Sequence, residues 1–249
     1  MSFSTLLSKL DCRKPVALVV DLDDTLYDTA PIDHILALNA ARLLDEVEGL
    51  GIFESFAKVR QILNEKNYVR ETFWQDFGIS YPRTLESVYH PDNLPAFNVP
   101  PKADLRDALI ALPASRFILT NSPSYYSDMI TEKMDLVKAF DMVVSTDRNC
   151  HYKKDTRNSY LNCERMTGIS PDTHNIIFVD NQLDNLKIAH DLGWHGVYTG
   201  EFTNEYPDIL PNYVHCYTDN LVEFTYALRG AISNDQEFER PHRKAPRPA

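Results

Sequence analysis

The feature that most constrains this 249-residue chain is a short apolar run that ends in a cluster of acidic residues. Residues 16–20 (VALVV) show no alternation of apolar and polar positions, which is typical of a strand buried on both faces of a parallel sheet. Asp21, Asp23, Asp24 and Thr25 follow directly. The sequence therefore predicts a group of polar side chains at the carboxyl end of a buried strand.

Further apolar runs predict four more strands, at residues 116–120, 142–145, 175–179 and 196–198. Segments with helical spacing lie between most of them, such as the segment after Pro101, in which Leu105, Ala108, Leu109 and Leu112 recur at helical intervals. This alternation indicates an α/β fold with a doubly wound, Rossmann-like parallel sheet.

A long helical insertion separates the first strand from the second. Its apolar periodicity predicts three helices, at residues 31–49, 53–64 and 68–77, which can pack as a small cap, and its prolines predict a loop from 79 to 100. We therefore expect a catalytic core of residues 1–27 and 101–230, a helical cap of residues 28–100 and a disordered tail of residues 231–249.

Composition excludes several classes of protein. A net charge of -11 argues against a nucleic-acid polymer as the main partner, because backbone phosphates are bound by clustered Lys and Arg. The four cysteines form no CxxC pair, and no apolar run reaches the length needed to span a membrane. We therefore expect a cytoplasmic protein with no membrane partner. The basic end, residues 240–247, is either a solvated tail or a docking element.

The polar residues that follow the predicted strands form a coherent set. In an open α/β sheet, ligands bind beyond the carboxyl ends of the strands. Asp21 and Asp23 follow the first strand, and Thr120 and Asn121 follow the second. Lys153 and Lys154 precede a predicted helix, and Asp180 and Asp184 follow the run at 175–179. The sequence predicts that these side chains share one pocket.

Four carboxylates in one pocket require a counter-charge. Two carboxylates about 4 Å apart repel by about 4 kcal/mol at an effective dielectric constant of 20. One lysine cannot balance four such groups, whereas a divalent cation with oxygen ligands can, and these ligands favour Mg²⁺. A cation beside threonine, asparagine and lysine side chains suits a phosphoryl group, so Thr120, Asn121 and Lys154 are candidates for binding the substrate.

At this point the sequence resembles the haloacid dehalogenase-like (HAD) hydrolases over roughly residues 14–200. Their DxDxT motif is matched by Asp21 to Thr25, the strand ending in Thr or Ser by Thr120, the lysine before a helix by Lys154, and the acidic fourth motif by Asp180 and Asp184. The resemblance implies that Asp21 is the nucleophile and that Asp23 is the general acid and later the base. It further implies that Thr120 and Lys154 hold the phosphoryl oxygens.

The resemblance also implies the metal site. Mg²⁺ would be bound by the Asp21 carboxylate, the Asp23 main-chain carbonyl and Asp180, with Asp184 bound directly or through water. Asn181 stands where many members carry a second aspartate, so Asp184 must supply that group if one is required. Members that remove halogens lack a carboxylate at the position of Asp23, which makes phosphate chemistry the expectation here.

A finer resemblance is to pyrimidine 5′-nucleotidase-like members, through DLDDTLY, a helical cap and the segment 105–122. It implies a Mg²⁺-dependent hydrolase of a small phosphorylated metabolite, a nucleoside monophosphate such as UMP or CMP, acting as a monomer or homodimer. Two alternatives remain: a phosphatase or phosphomutase acting on a sugar phosphate or another small metabolite, and a non-catalytic protein that binds a phosphorylated ligand.

Several residues also have a purely structural interpretation. Asp184 can cap the next helix, Asp24 is best explained as a turn residue, and Thr25 can support either the turn or the metal site. Only one of Lys153 and Lys154 can face the pocket, and spacing favours Lys154. The aromatic residues of the third predicted helix fit the cap core better than a surface that stacks on bases; they are Tyr68, Phe73, Trp74 and Phe77.

Overall fold

Six parallel strands form a single sheet at the centre of the protein, in the order β3-β2-β1-β4-β5-β6. The computed structural model describes residues 2–66, 69–94, 99–151, 154–202 and 209–238. The strands are β1 (Val16–Val20), β2 (Ser115–Leu119), β3 (Met142–Val144), β4 (Asn175–Asp180), β5 (His195–Thr199) and β6 (Val214–Thr218). The fold class predicted from the sequence is confirmed.

Helices cover both faces of the sheet and fill the insertion after β1. They are α1 (Phe3–Leu7), α2 (Ala30–Glu48), α3 (Ile52–Lys66), α4 (Arg70–Phe77), α5 (Tyr81–Tyr89), α6 (Ala103–Ala111), α7 (Ser124–Lys133), α8 (Arg157–Thr167), α9 (Leu183–Asp191) and α10 (Leu221–Phe238). Short 3₁₀ turns occupy Pro91–Asn93 and Val137–Ala139. Within the described residues, no helix is both long and apolar enough to cross a lipid bilayer.

Strand β1 is buried on both faces, as its unbroken apolar run predicts. Leu18 and Val20 belong to an apolar cluster on one side of the sheet, and Ala17 and Val19 belong to a second cluster on the other side. Its neighbours are β2 on one side and β4 on the other. The acidic residues that follow β1 therefore emerge from the middle of the sheet.

The described part of the insertion contains one α-helix more than the sequence predicts. Its helices share a third apolar cluster, which includes Leu44, Val59 and Phe73. The loop predicted for residues 79–100 is wrong in its first half, where α5 forms. Pro82 lies in the first turn of that helix, where proline removes no hydrogen bond, and the Ser80 hydroxyl accepts a hydrogen bond from the Arg83 backbone N–H. Residues 67, 68 and 95–98 lie outside the described residues.

Two further elements differ from the sequence prediction. Strand β6 pairs with β5 at the edge of the sheet, although the sequence analysis identified no strand there. Helix α10 runs to Phe238, so the predicted start of the tail at residue 231 falls inside a helix. Residues 239–249 lie outside the described residues.

Three histidines cluster at strand β5 and the edge strand β6. The ring centroids of His195 and His215 are 5.4 Å apart, and those of His190 and His215 are 5.5 Å apart. Burial is the main cause that lowers the pKa of His195 from 6.5 to about 4. Charge repulsion from nearby basic side chains contributes to the same shift; these are His215, His190, Lys14 and Lys9. Folding therefore favours the neutral ring of His195.

This cluster predicts an acid-sensitive fold. Because the unfolded chain binds the His195 proton more tightly, the free energy of unfolding falls as the pH drops from 6.5 towards 4. After a discount for partial exposure, the loss is on the order of 2 kcal/mol. Urea unfolding at several pH values should show that the free energy of unfolding falls less steeply with decreasing pH for His195→Asn than for the natural protein. An identical slope in both proteins would contradict the prediction, and His34→Asn, on an exposed face of α2, serves as the control.

Candidate active site

The carboxyl ends of β1, β2 and β4 bring the predicted polar residues to one edge of the sheet. Asp21 directly follows β1, and its backbone N–H donates to the Val179 carbonyl at 2.9 Å, which extends the ladder to β4 by one bond. Asp180 is the last residue of β4. Residues Thr120 and Asn121 follow β2, the other neighbour of β1.

Lys154 joins the two central carboxylates. Its ammonium Nζ lies 2.6 Å from Asp21 Oδ1 and 2.8 Å from Asp180 Oδ2. Only 2% of Lys154, 5% of Asp21 and none of Asp180 are exposed. The Asn121 side-chain oxygen accepts a hydrogen bond from the Lys154 backbone N–H at 2.9 Å, which fixes the loop carrying the lysine. Lys153 lies outside the described residues.

Asp180 is held by donors from the loop and helix that follow it. Its Oδ1 accepts the Gln182 backbone N–H at 2.7 Å, and the Asn185 side-chain amide lies 3.1 Å from both carboxylate oxygens. Asn185 is not among the site residues predicted from the sequence. Its position five residues after Asp180, at the start of a helix, is the signal from which this contact could have been inferred.

Asp23 is oriented by two hydroxyl groups. The Tyr27 hydroxyl donates to Asp23 Oδ1 at 2.6 Å, and the Ser122 hydroxyl donates to Oδ2 at 2.6 Å. The Tyr126 hydroxyl in turn shares a hydrogen bond with Tyr27. Neither tyrosine was predicted from the sequence. Tyr126 comes from α7, a distant segment of the chain, whereas Tyr27 lies only four residues after Asp23.

The turn after β1 separates the roles of neighbouring polar residues. Asp24 adopts a left-handed φ of 53°, and its Oδ1 accepts hydrogen bonds from the Thr29 backbone N–H and hydroxyl at 2.9 and 2.7 Å. Asp24 therefore stabilises the turn before α2. The Thr25 hydroxyl is buried and has no hydrogen-bond partner among the described residues.

Burial dominates the electrostatics of the site. It raises the pKa of the Asp21 carboxyl well above its usual range, an effect that the Lys154 ammonium opposes. Burial also raises the pKa of Asp23, against the hydrogen bonds from Ser122 and Tyr27. For Lys154 burial lowers the pKa, but Asp180 and Asp21 outweigh it, so the net pKa is raised and the amine stays protonated.

A cavity of about 470 Å³ lies over these residues, between the sheet edge and the helical insertion. From the core it is lined by Asp21, Asp23, Asn121, Ser122, Lys154, Asp184 and Asn185, among others. Apolar side chains of the insertion also line it, among them Leu36, Ala37, Leu63, Leu85 and Val88. Asp184 lies in the first turn of α9. Thr120 is buried and accepts the Ser122 backbone N–H at 3.0 Å; it is not among the described residues that line the cavity.

Comparison with known proteins identifies the fold that carries this site. No family model matches the sequence, and neither does any curated protein. Solved structures do match. A HAD phosphatase from Thermococcus onnurineus shares 18% identity with a TM-score of 0.59, covering 86% of this chain and 98% of its own. The fold is that of the haloacid dehalogenase-like hydrolases.

Two other solved structures match over a similar share of the chain. An L-2-haloacid dehalogenase from Xanthobacter autotrophicus has 18% identity and a TM-score of 0.53, and covers 86% of this chain and 98% of its own. A magnesium-bound HAD-hydrolase from Bacillus subtilis has 16% identity and a TM-score of 0.54, with 86% and 99% covered. At these identities the likeness defines the fold, and the reaction must be argued from the side chains.

The donor set in this HAD-like fold suits a hard cation held by few protein ligands. Among the described residues, no group of three or more Asp, Glu, His or Cys side chains is close enough to hold a metal ion. Asp21 and Asp180 are two buried carboxylates that share one lysine, which leaves an excess of negative charge when both are ionised. Mg²⁺ is commonly held by one or two carboxylates and several waters, so the residues present fit this ion.

The aromatic residues of the insertion have separate positions. Phe73 is fully buried in the apolar cluster of the insertion, and Phe77 packs against that cluster. Trp74 is 53% exposed and contacts the Tyr81 ring. Tyr68 lies outside the described residues. Phe73 thus belongs to the core of the insertion, as the sequence indicates, whereas Trp74 lies at its surface.

Proposed function

We propose that this protein hydrolyses phosphate monoesters of small metabolites through an aspartyl-phosphate formed on Asp21. The observation that carries the proposal is the bridge from Lys154 Nζ to Asp21 and Asp180, beside a cavity that Lys154, Asp21 and Asp23 line. A carboxylate nucleophile, a proton-transfer group and a fixed cation are thereby available to one bound phosphoryl group.

The reaction proceeds in two displacements at phosphorus. An Asp21 carboxylate oxygen attacks phosphorus, the bond from phosphorus to the ester oxygen breaks, and Asp23 gives its proton to the leaving alkoxide. A water then attacks phosphorus while Asp23 takes one of its protons. The bond from phosphorus to Asp21 breaks, which releases inorganic phosphate and restores the carboxylate.

The surroundings of Asp23 suit proton transfer. Burial raises the pKa of its carboxyl, so more of it is protonated near neutral pH than for an exposed aspartate. The Ser122 and Tyr27 hydroxyls fix both of its oxygens. The resemblance implies that members which remove halogens lack a carboxyl group at this position, so Asp23 favours phosphate chemistry.

Lys154 and the residues after β2 would neutralise the phosphoryl oxygens. The Lys154 ammonium is fixed by two carboxylates and by Asn121, which holds its backbone. We propose that Lys154 binds phosphoryl oxygens directly, and that Thr120, which is buried and does not line the described cavity, acts through its hydrogen bond with the Ser122 backbone N–H. Asn121 either contributes its amide or positions the lysine. Such preorganised charge needs no rearrangement as the transition state forms.

Magnesium completes the proposal. The Asp21 carboxylate, the Asp23 main-chain carbonyl and Asp180 would hold the ion, with Asp184 reaching it through water. When bound, Mg²⁺ supplies charge that neutralises the phosphoryl oxygens and lowers the repulsion between the buried carboxylates.

Removal of magnesium is expected to abolish turnover. EDTA should silence hydrolysis of p-nitrophenyl phosphate, and added Mg²⁺ should restore it. Independently of activity, Mg²⁺ should raise the melting temperature of the natural protein by about 2–4 °C, because ligand binding to the folded state stabilises it. The Asp180→Asn variant should lose that shift. Full activity in EDTA would contradict the metal assignment.

We propose a nucleoside monophosphate, such as UMP or CMP, as the substrate, and the helices α2 to α5 as the cap that selects it. The cavity volume of about 470 Å³ and its apolar wall can accept a base and a sugar beside the phosphate. A screen of nucleotides, sugar phosphates and phospho-amino acids with Mg²⁺ tests this preference. Phosphate release without a sugar bisphosphate activator would separate a hydrolase from a phosphomutase.

A further inference from the structure

Arg70 is a buried cation that the proposed chemistry does not use. It is the first residue of α4 in the insertion, yet its Nη1 donates to the Thr146 hydroxyl at 2.8 Å. Thr146 follows β3, at the same edge of the sheet as Asp21. Arg70 therefore links the insertion to the core beside the cavity.

The described residues do not satisfy every donor of the Arg70 guanidinium. Only 5% of the residue is exposed, and its Nη2 has no hydrogen-bond acceptor among the described residues. The Glu71 carboxylate lies 4.0 Å from Nε, beyond hydrogen-bond distance, and the guanidinium covers the Tyr81 ring at 5.2 Å. A buried donor without an acceptor is destabilising unless something else supplies one.

Arg70 lines the same cavity as Asp21 and Lys154. A ligand whose phosphate meets Lys154 therefore brings its organic part to the wall formed by the insertion, where Arg70 lies. An oxygen acceptor on that part is the group that would satisfy Nη2. Recognition of this kind discriminates strongly, because a ligand without the acceptor leaves the buried donor unpaired.

The charges around the cavity indicate which kind of acceptor fits. The described lining residues include three basic side chains, Arg60, Arg70 and Lys154. They include six acidic side chains, Asp21, Asp23, Asp24, Asp33, Asp155 and Asp184. This excess of acidic groups disfavours a second anionic group on a ligand that already carries a phosphate. A neutral carbonyl oxygen meets the donor without adding negative charge.

We infer that Arg70 is a specificity residue that donates from Nη2 to a neutral carbonyl oxygen on the organic part of the phosphate monoester, as on a pyrimidine base. The inference rests on the proposed function for the phosphate end of the ligand. It adds that phosphate monoesters without such a carbonyl, including ribose 5-phosphate, gain nothing from Arg70.

Steady-state kinetics of Arg70→Met test the inference with two substrates. The variant should lower kcat/KM for UMP by about tenfold to a hundredfold and leave kcat/KM for ribose 5-phosphate within about threefold. Arg83→Met is the matched control, because Arg83 is an exposed arginine of the same insertion that pairs with Glu46 away from the cavity. That control should leave both substrates unaffected.

Binding measurements separate this inference from the proposed function. In the Asp21→Asn background, calorimetric titration with UMP should show the same tenfold or greater loss of affinity on Arg70→Met, whether or not the natural protein turns UMP over. Equal losses for UMP and ribose 5-phosphate, or no loss for either, would overturn the inference. A third titration uses 3-phosphoglycerate, whose organic part carries a carboxylate. If Arg70→Met lost affinity for 3-phosphoglycerate alone, the acceptor would be a carboxylate and the proposed neutral carbonyl would be wrong.

Folding of the variant has its own check. Arg70→Lys keeps the charge, but it presents one nitrogen instead of two terminal donors. The melting temperature of this variant should be close to that of the natural protein. Like Arg70→Met, it should show little difference in kcat/KM between UMP and ribose 5-phosphate. Full discrimination by Arg70→Lys would show that charge alone is recognised and would overturn the proposed donation from Nη2.

Discussion

Replacement of Asp21 by asparagine is expected to reduce turnover by at least about 10⁴-fold, because the amide cannot attack phosphorus. Asparagine has nearly the same shape, so the fold should persist. The free energy of unfolding should stay equal or rise by about 1 kcal/mol, since burial raises the pKa of Asp21 and the variant removes a buried charge. Phosphate release and urea unfolding of the purified variant measure the two effects.

The neighbouring Asp24→Asn variant is a matched control. Asparagine can keep the left-handed φ of 53° and can still accept the two hydrogen bonds from Thr29. Turnover should therefore stay within about threefold of the natural protein. Substantial residual turnover in Asp21→Asn, in preparations free of other phosphatases, would exclude Asp21 as the nucleophile.

Replacement of Lys154 by methionine is expected to lower both stability and turnover. The side chain is buried between two carboxylates, so its removal leaves Asp21 and Asp180 buried without their shared cation. Breaking a buried ion pair in this way costs about 3–5 kcal/mol. Turnover should fall by about a thousandfold or more, because a fixed charge facing the phosphoryl group is lost.

An exposed lysine provides the contrast. Lys187 pairs with Asp191 at 2.7 Å on the surface of α9, and both side chains are about half exposed. Lys187→Met should change the free energy of unfolding by no more than about 0.5 kcal/mol and leave turnover unchanged. If chemical denaturation gave Lys154→Met the same stability as Lys187→Met, the buried bridge described here would be wrong.

Local patterns were sufficient to predict the centre of the fold. The apolar runs of β1 and β4 identify strands that are buried on both faces, because such strands carry apolar residues at successive positions. The edge strand β6 has a less distinctive sequence pattern. Its sequence, VHCYT, mixes polar and apolar residues, and its pairing with β5 depends on tertiary context.

Proline explains the largest local error. Pro82 suggested a loop, whereas the structure uses it in the first turn of α5 after the Ser80 cap, a position where its fixed φ suits a helix. Ser80, three residues before Arg83, is the signal for the start of α5, whereas the prediction of a loop rested on the number of prolines in the segment.

The candidate site was predictable where it depends on strand ends and not where it depends on long side chains. Asp21, Lys154 and Asp180 meet because parallel strands end at one edge, a rule that needs only the order of the strands. Tyr126 and Arg70 reach the site from α7 and α4, and their contacts follow from how those helices pack. No spacing in the sequence encodes that packing.

The most direct test is to trap the phosphorylated enzyme. The protein is mixed with Mg²⁺ and p-nitrophenyl phosphate, quenched in acid within one turnover, and digested for fragmentation mass spectrometry. One added phosphoryl group on Asp21, absent from Asp21→Asn, is the predicted result. Phosphate release with no phosphorylated Asp21 at any quench time, or with the phosphoryl group on another residue, would contradict the mechanism.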